Sequence, residues 1–303
     1  MSNKNYLVVY HRVDYDGIFS ALVAKRAYES HGINVRFLGY NYGQEMPNLE
    51  ELLRDNAVIC MVDISFPTEY MQYLRSSSRV IWIDHHVTAI EDSERCGYSD
   101  IPGLRRNGTA ACELTWEFFN PKKECPSIVQ LAGAYDVWNK DRFNWDDDVL
   151  PLQFGLKGRY SVNLKEIDKD WDVLTSEDAY YDVIEEGQVI LQFLKNQWSG
   201  WMSNSAFPVT VDGKYSAICI ISPMFSSNSF ESVIDKYDLC IVVSPKDQGQ
   251  RFGIGMYKSP EKCPEFSCGK YLKDLCGGGG HDGAAGGTLS KEQFMSIVFD
   301  KVI

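Results

Sequence analysis

The sequence predicts an α/β protein: a mostly parallel sheet flanked by helices, followed by a second, smaller α/β domain. Three observations carry this. Of four short strand-like runs in the first third, three are apolar throughout, without the alternation of a half-exposed strand, so the sheet they form is covered on both faces. The stretches between them have the length of helices. Beyond about residue 205, strand-like runs return in a shorter region.

The elements follow in order. Tyr6-Leu7-Val8-Val9-Tyr10 has strand length, and a helix runs from about Gly17 to His31 with Ile18, Ala21, Leu22 and Lys25 at helical spacing. Residues 35–38, 57–62 and 80–83 give the second, third and fourth strands. From Gly108 to about Asp141 the pattern turns helical. Ser176 to Trp201 forms another helix, with Val183, Ile184, Val189, Ile190, Phe193 and Leu194 on its apolar side. Ser199-Gly200 and Ser203-Asn204-Ser205 break that periodicity, so a connector at 191–204 is expected between domains at 1–190 and 205–303. In the second domain, residues 208–211, 215–221, 239–243 and 252–256 read as strands. Helices are expected near 229–237 and 290–302.

Composition narrows the class. A chain of 303 residues suits two domains, and 44% hydrophobic with 24% charged residues is globular composition. Thirty Lys plus Arg against 42 Asp plus Glu give a net charge of −12, which argues against coating long nucleic acid or duplex DNA through a basic surface. A small anionic substrate in a locally positive pocket stays open. No apolar run reaches membrane-spanning length, so no membrane partner is expected, and the Met-Ser-Asn-Lys-Asn start lacks the apolar stretch of a secretion signal. The expected location is the cytoplasm. Nine scattered cysteines without a C-x-x-C pair read as small buried hydrophobes in a reducing compartment.

Three of the apolar strands end in acids. The first runs into His11-Arg12-Val13-Asp14-Tyr15-Asp16-Gly17, the third into Asp63, and the fourth into Asp84-His85-His86. In an open parallel sheet the carboxyl ends of the strands form one rim where ligands bind, so these side chains converge. A single Asp at such a junction is more often a helix N-cap, and a lone His more often a hydrogen-bonded structural residue. Four carboxylates and up to three imidazoles on one rim repel each other unless cations sit among them, which favours metal binding. Carboxylate and imidazole without thiolate suit Mn²⁺, Mg²⁺, Zn²⁺ or Fe²⁺, and an oxygen-rich pair of sites leans to Mn²⁺ or Mg²⁺. Two such ions serve in-line phosphoryl displacement.

With these motifs the chain resembles the DHH phosphoesterase family, whose triplet is Asp84-His85-His86 here. His11 to Gly17 resembles the first motif of that family, Asp63 the second, and Tyr135-Asp136-Val137-Trp138 the fourth, in a form seen in nanoRNase-like members. Gly277 to Gly286 (GGGGHDGAAG) resembles the glycine-rich histidine motif of the associated C-terminal domain. The resemblance implies one divalent ion held by His11, Asp14 and Asp63. A second would be held by Asp16, Asp63, His85 and Asp136, with Asp63 bridging and acting in catalysis. It implies that His86 contacts the scissile phosphate and assists the leaving group. It also implies that Gly278, Gly279, Gly280 and His281 bind substrate across a cleft between domains. Here the gap from His11 to Asp14 is one residue shorter than in the family pattern.

Successive glycines can aim several backbone N–H groups at one anion, although a surface turn is the ordinary reading of such a run. The helix starting near Thr109 could present its N-terminus to a phosphate, with plain capping as the simpler role. Arg105 and Arg106 precede the helical stretch from Gly108, and Lys258, Lys262, Lys270 and Lys273 read first as solvated charge. Trp82 reads as core, and Trp138 as a residue lining the site. The expected activity is hydrolysis of very short RNA or linear dinucleotides to mononucleotides, with two Mn²⁺ ions (Mg²⁺ as the alternative) and a homodimer left open. Alternatives are a cyclic-dinucleotide phosphodiesterase, a pyro- or polyphosphatase and, outside enzymes, a nucleotide-binding sensor.

Overall fold

The computed structural model describes residues 5–42, 44–55, 58–77, 79–176 and 179–299. The chain divides into two compact units, 1–191 and 192–303. The first contains β1 (Tyr6–His11), α1 (Tyr15–Glu29), β2 (Val35–Tyr40), α2 (Leu49–Asp55), β3 (Val58–Val62), α3 (Thr68–Ser77), β4 (Arg79–Ile83) and α4 (Val87–Arg95). It continues with α5 (Ala111–Phe119), α6 (Ser127–Asp136), a π-helical turn at Trp145–Val149, α7 (Leu150–Tyr160) and α8 (Leu164–Leu174). Residue 57 of the expected third strand lies outside the described residues.

The four strands are parallel in the order β2-β1-β3-β4. The chain leaves β1 for β2 on one side and returns to β3 on the other, so the connections diverge between β1 and β3 and open a crevice at their carboxyl ends. Leu7, Val9, Ile59, Met61 and Trp82 pack on one face with Met71 and Leu74 of α3. Val8 and Cys60, on the opposite face, are fully buried as well. The sheet is therefore covered twice, as uninterrupted apolar strands require. Helix α1 is buried along most of its length, Tyr15 through Ala24. An almost all-round apolar helix has little periodicity to read, and its start lies two residues before the expected Gly17.

The region expected to be helical, 108–141, holds two helices, α5 and α6, separated at residues 120–126. The expected connector is itself helical: α9 (Ala179–Ser205) runs without interruption through 191–204. The Ser203 hydroxyl donates to the Ser199 carbonyl (2.9 Å), and the Asn204 amide to that of Gly200 (2.9 Å). Residues that read as breakers thus bond back to their own helix and stay in it.

In the second unit, β5 (Phe207–Val211), β6 (Tyr215–Ile221), β7 (Leu239–Lys246), β8 (Arg251–Lys258), β9 (Gly279–Gly280) and β10 (Ala284–Ser290) form a mixed sheet ordered β5-β6-β7-β8-β10-β9, with only β6 and β7 parallel. Helices α10 (Cys268–Cys276) and α11 (Lys291–Phe299) cover the side where Ile241, Val243, Ile254, Met256 and Leu289 meet Leu272 and Phe294. The helix expected over 229–237 is only a 3₁₀ turn at Ser227–Phe230, fixed by reciprocal Ser226 and Ser229 hydrogen bonds. Residues 300–302 of the expected last helix lie outside the described residues. All nine cysteines are free thiols, six of them buried. Among the described residues no helix is long and apolar enough to cross a membrane.

Candidate metal centre

The rim at the carboxyl ends of β1, β3 and β4 gathers the acids and imidazoles. Asp14 caps α1, accepting the Gly17 N–H (2.9 Å). Gly17 is required there, because a Cβ would lie 1.9 Å from the His11 carbonyl oxygen. The first turn of α1 therefore sits directly on the end of β1 and brings Asp14 back to His11. Nδ1 of His11 lies 2.7 Å from Asp14 Oδ2 and 3.5 Å from Asp63 Oδ2, while its Nε2 contacts Asn41 Oδ1 at 3.1 Å. The shortened His11-to-Asp14 spacing thus still brings the two side chains together.

Asp16 is almost fully buried and points the other way along α1. Its oxygens accept the N–H groups of Ala111 (2.9 Å) and Cys112 (2.7 Å) at the start of α5. The anion at that helix N-terminus is therefore the protein's own carboxylate, and a phosphate is not needed to satisfy it. Asp63 follows β3 with φ +57°, a left-handed conformation that Asp tolerates better than bulkier residues. It is no helix cap. Its Oδ1 is buried without a hydrogen-bond donor.

His85 Nε2 faces three acids at once: Asp63 Oδ1 and Asp136 Oδ2 at 3.3 Å and Asp16 Oδ2 at 3.6 Å. Asp136, the last residue of α6, is delivered by a helix contributing nothing to the sheet. Three sets of side chains each bring ligand atoms within 4.8 Å of one another: His11, Asp14 and Asp63; Asp16, His85 and Asp136; and Asp63, His85 and His86. These sets share Asp63 and His85. A buried carboxylate oxygen without a donor, among other acids and imidazole nitrogens, fits divalent cations and little else.

Asp84 behaves differently. Its Oδ1 accepts from His85 N (2.8 Å) and His86 N (3.1 Å) and contacts His86 Nδ1 (2.7 Å), and its Oδ2 accepts from Trp82 Nε1 (3.1 Å). Fully buried and fully bonded, it orients the triplet and has no free oxygen for an ion.

Electrostatics divides the acids in the same way. Burial, and then repulsion from Asp16 and Asp14, push the Asp63 carboxyl well above the usual carboxylate range. Burial, Asp16 and Asp63 do the same to Asp136. Burial also opposes charge on Asp84 and Asp14, but His86 with backbone donors holds Asp84 low, and His11 holds Asp14 low. Burial opposes the imidazolium of His11, yet the carboxylates of Asp14 and Asp63 push it up to about 11. His86 is raised by Asp84 against the same opposition.

The sequence reading did not anticipate Asn41 or Tyr42, which follow β2. The Tyr42 ring lies 5.7 Å from those of His11 and His86 and remains 45% exposed. It also missed Glu113, whose Oε1 pairs with Arg142 (2.7 Å) beneath Gly133 of α6, and Lys157, which lines a cavity of about 110 Å³ with Asp14, Asp16 and Asp136. Arg105 is structural, donating to the carbonyls of Trp82, Ser99 and Ile101, and Arg106 pairs with Glu117.

In the second unit, Gly278, Gly279, Gly280 and His281 form the turn into β9 and the start of the β9–β10 hairpin. The N–H groups of Gly277, Gly278 and His281 donate to Lys273, Leu272 and Ala284 carbonyls. Gly278 and Gly280 are also packing positions, since a Cβ on either would approach the facing backbone to 2.5–2.6 Å. Gly279 and the His281 side chain face outward. Much of the run therefore serves the hairpin itself. Lys258 and Lys262 donate to backbone carbonyls and Lys270 pairs with Asp274.

Comparison with known proteins gives a consistent fold. An uncharacterized protein, R106, of Acanthamoeba polyphaga mimivirus is 23% identical over 73% of this chain, and the match spans about half (53%) of that protein. RecJ in complex with Mn²⁺ from Thermus thermophilus superposes with TM-score 0.55 at 16% identity, over 98% of this chain and 51% of that one. PggH of Vibrio cholerae, described as a pGpG-specific phosphodiesterase, superposes with TM-score 0.50 at 14% identity, over 97% of this chain and 95% of that one. Residues 5–134, which hold β1 through α5, most of α6 and every expected metal ligand except Asp136, match the model of the DHH family, N-terminal domain.

Proposed function

We propose that this protein is a metal-dependent phosphodiesterase that hydrolyses short oligonucleotides or linear dinucleotides to mononucleotides. The carrying observation is the convergence of His11, Asp14, Asp16, Asp63, His85 and Asp136 in overlapping groups on one rim, with a buried Asp63 oxygen that accepts no hydrogen bond. His11, Asp14 and Asp63 would hold one divalent ion, and Asp16, Asp63, His85 and Asp136 the other. Mn²⁺ is the favoured metal, in keeping with the Mn²⁺ of the RecJ complex and the oxygen-rich donor set. Bound there, the ions would supply Lewis-acid stabilisation and an activated water for in-line displacement at phosphorus.

The chain's own groups have defined tasks in this reading. Nδ1 of His86 is engaged by Asp84, which favours the imidazolium, and in that form the remaining ring nitrogen, Nε2, would carry a proton towards the substrate. That N–H can bond a phosphate oxygen and pass its proton to the leaving alkoxide as the P–O bond breaks. Asp84 fixes the ring but does not itself exchange the proton. In the second unit, His281 and the outward-facing Gly279 are the members of the glycine run proposed to bind substrate phosphate. The dinucleotide preference draws on the net charge of −12, which disfavours long polymers, and on PggH, described as specific for pGpG. Nine free thiols support a cytoplasmic setting.

The test is a side-by-side Mn²⁺ assay with linear dinucleotide, cyclic dinucleotide, longer oligomers and polyphosphate. Fastest turnover of the linear dinucleotide is expected. Cleavage of polyphosphate with dinucleotides left intact would overturn the assignment, and tight nucleotide binding without product under any metal would replace the enzyme by a sensor.

A further inference from the structure

Helix α6 delivers Asp136 and then stops in an unusual way. Val137 follows as the cap residue, and Trp138 takes φ +55°, in the position after the cap that glycine or asparagine normally occupies. The stop is well formed: Trp138 N–H donates to Tyr135 O (3.1 Å) and Asn139 N–H to Ala134 O (2.9 Å). A bulky side chain in left-handed backbone costs free energy that glycine would avoid, and such outliers gather where a side chain must be held in place. Here the strain holds an indole at the surface, 44% exposed. The ring rests edgewise on Trp145 (4.9 Å between centroids) and Tyr135 (5.6 Å), which are themselves stacked at 5.8 Å with 10° between planes. Tyr135 lines the cavity that also contains Asp16 and Asp136. Lys140 Nζ lies 5.4 Å from the centroid of Trp138 and 5.3 Å from that of Trp145.

An exposed, rigidly backed indole two residues from a proposed metal ligand, with an ammonium over it and its neighbouring indole, is chemistry for a nucleotide. Every nucleobase offers a π-face to stack, and the ammonium suits a neighbouring phosphate. A polyphosphate would gain nothing from the indole. We infer that Trp138 is the base-stacking platform of the site, with Lys140 beside it for a flanking phosphate, so that the site selects nucleotides over base-free phosphate compounds. This rests on the phosphodiesterase reading above and adds the part of the substrate that the first unit recognises.

The test separates binding from turnover. Mn²⁺-loaded wild type, Trp138→Ala and Trp138→Phe are titrated calorimetrically with AMP and with ribose 5-phosphate, and assayed on a linear dinucleotide. Wild type should prefer AMP by roughly 10- to 100-fold, the range one base–aromatic stack supplies. Trp138→Ala should lose that preference while keeping its affinity for ribose 5-phosphate and its metal content, and Trp138→Phe should retain most of it. In turnover the alanine variant should raise KM more than it lowers kcat. Equal preference in wild type and Trp138→Ala, or no base preference in wild type, overturns the inference. Base preference without dinucleotide cleavage would instead sink the hydrolase reading and leave Trp138 in its role.

Discussion

The ends of β3 and β4 carry the same residue at the same depth, and their environments are opposite. Asp63 and Asp84 are both at most 1% exposed. Asp84 is surrounded by donors, two backbone N–H groups, an indole N–H and an imidazole, and its pKa is held low. Asp63 shares its surroundings with Asp14 and Asp16, keeps one oxygen without a donor, and is pushed up. A buried carboxylate that faces donors is a structural member. One that faces other carboxylates is completed only by a cation. Proximity on the rim therefore does not make a ligand; the direction of the neighbouring dipoles does.

The largest break in this contrast should come from Asp63→Asn. Asn tolerates the left-handed backbone at this position, so the change removes charge without adding strain. Activity should fall by roughly 10³-fold or more, as expected when a bridging ligand is lost, while the metal-free protein unfolds at the same or higher temperature because repulsion is relieved. Wild-type turnover in this variant would remove the proposed mechanism. Asp84→Asn should reverse the pattern. One Asn oxygen cannot serve donors on both sides, and the amide would face the Trp82 indole N–H as donor to donor. A loss of about 2–4 kcal/mol in urea unfolding of the metal-free protein is expected. Activity should fall only as His86 loses its orientation, with the bound metal retained.

How far this contrast was legible depends on where each partner lies in the chain. The strand-end acids could be read because the apolar run and the acid that follows it are contiguous. The donors around Asp84 lie within two residues, yet their direction depends on backbone angles that composition does not encode. Asp16 is tied to α5 across 95 residues, and Glu113 to Arg142 through the packing of α6, so neither link has a local signal. Asp136 ends a helix like any solvated acid and was recognisable only by resemblance. The uninterrupted α9 shows the converse failure. Ser and Asn carried a correct local preference for breaking a helix, and bonding back to their own carbonyls overrode it.

A smaller effect sharpens the contrast between the rim and the glycine run of the second unit. His281→Ala should raise KM for a linear dinucleotide about 3- to 10-fold, with metal content and melting temperature unchanged, because its side chain faces outward. Gly278→Ala, by contrast, should lower the melting temperature, since its Cβ would meet the Gly286 carbonyl oxygen at 2.5 Å. Equal loss of stability in both variants would deny His281 a substrate role distinct from the hairpin.

The smallest effect, and the most diagnostic, is the pH dependence of the chelated protein. A carboxyl raised on folding adds no penalty while it is protonated in both states, below the unfolded value near 4. It destabilises progressively as pH rises towards its folded value. Asp63 and Asp136 are of this kind. A carboxyl lowered on folding, such as Asp84, stabilises above the unfolded value and loses that contribution as pH falls through the folded one. The two strand ends therefore pull the melting temperature in opposite directions. In chelator, Asp63→Asn should flatten the decline as pH rises above the ordinary carboxyl value, and Asp84→Asn should remove part of the loss as pH falls below it. Added Mn²⁺ should raise the melting temperature of wild type more at pH 8 than at pH 5.5, because uptake of the ion must displace the proton of the His11 imidazolium and any held by Asp63 and Asp136. A Mn²⁺ shift independent of pH would mean that the ion is taken up without displacing a proton from His11, Asp63 or Asp136, and that the repulsion separating Asp63 from Asp84 is relieved without a cation.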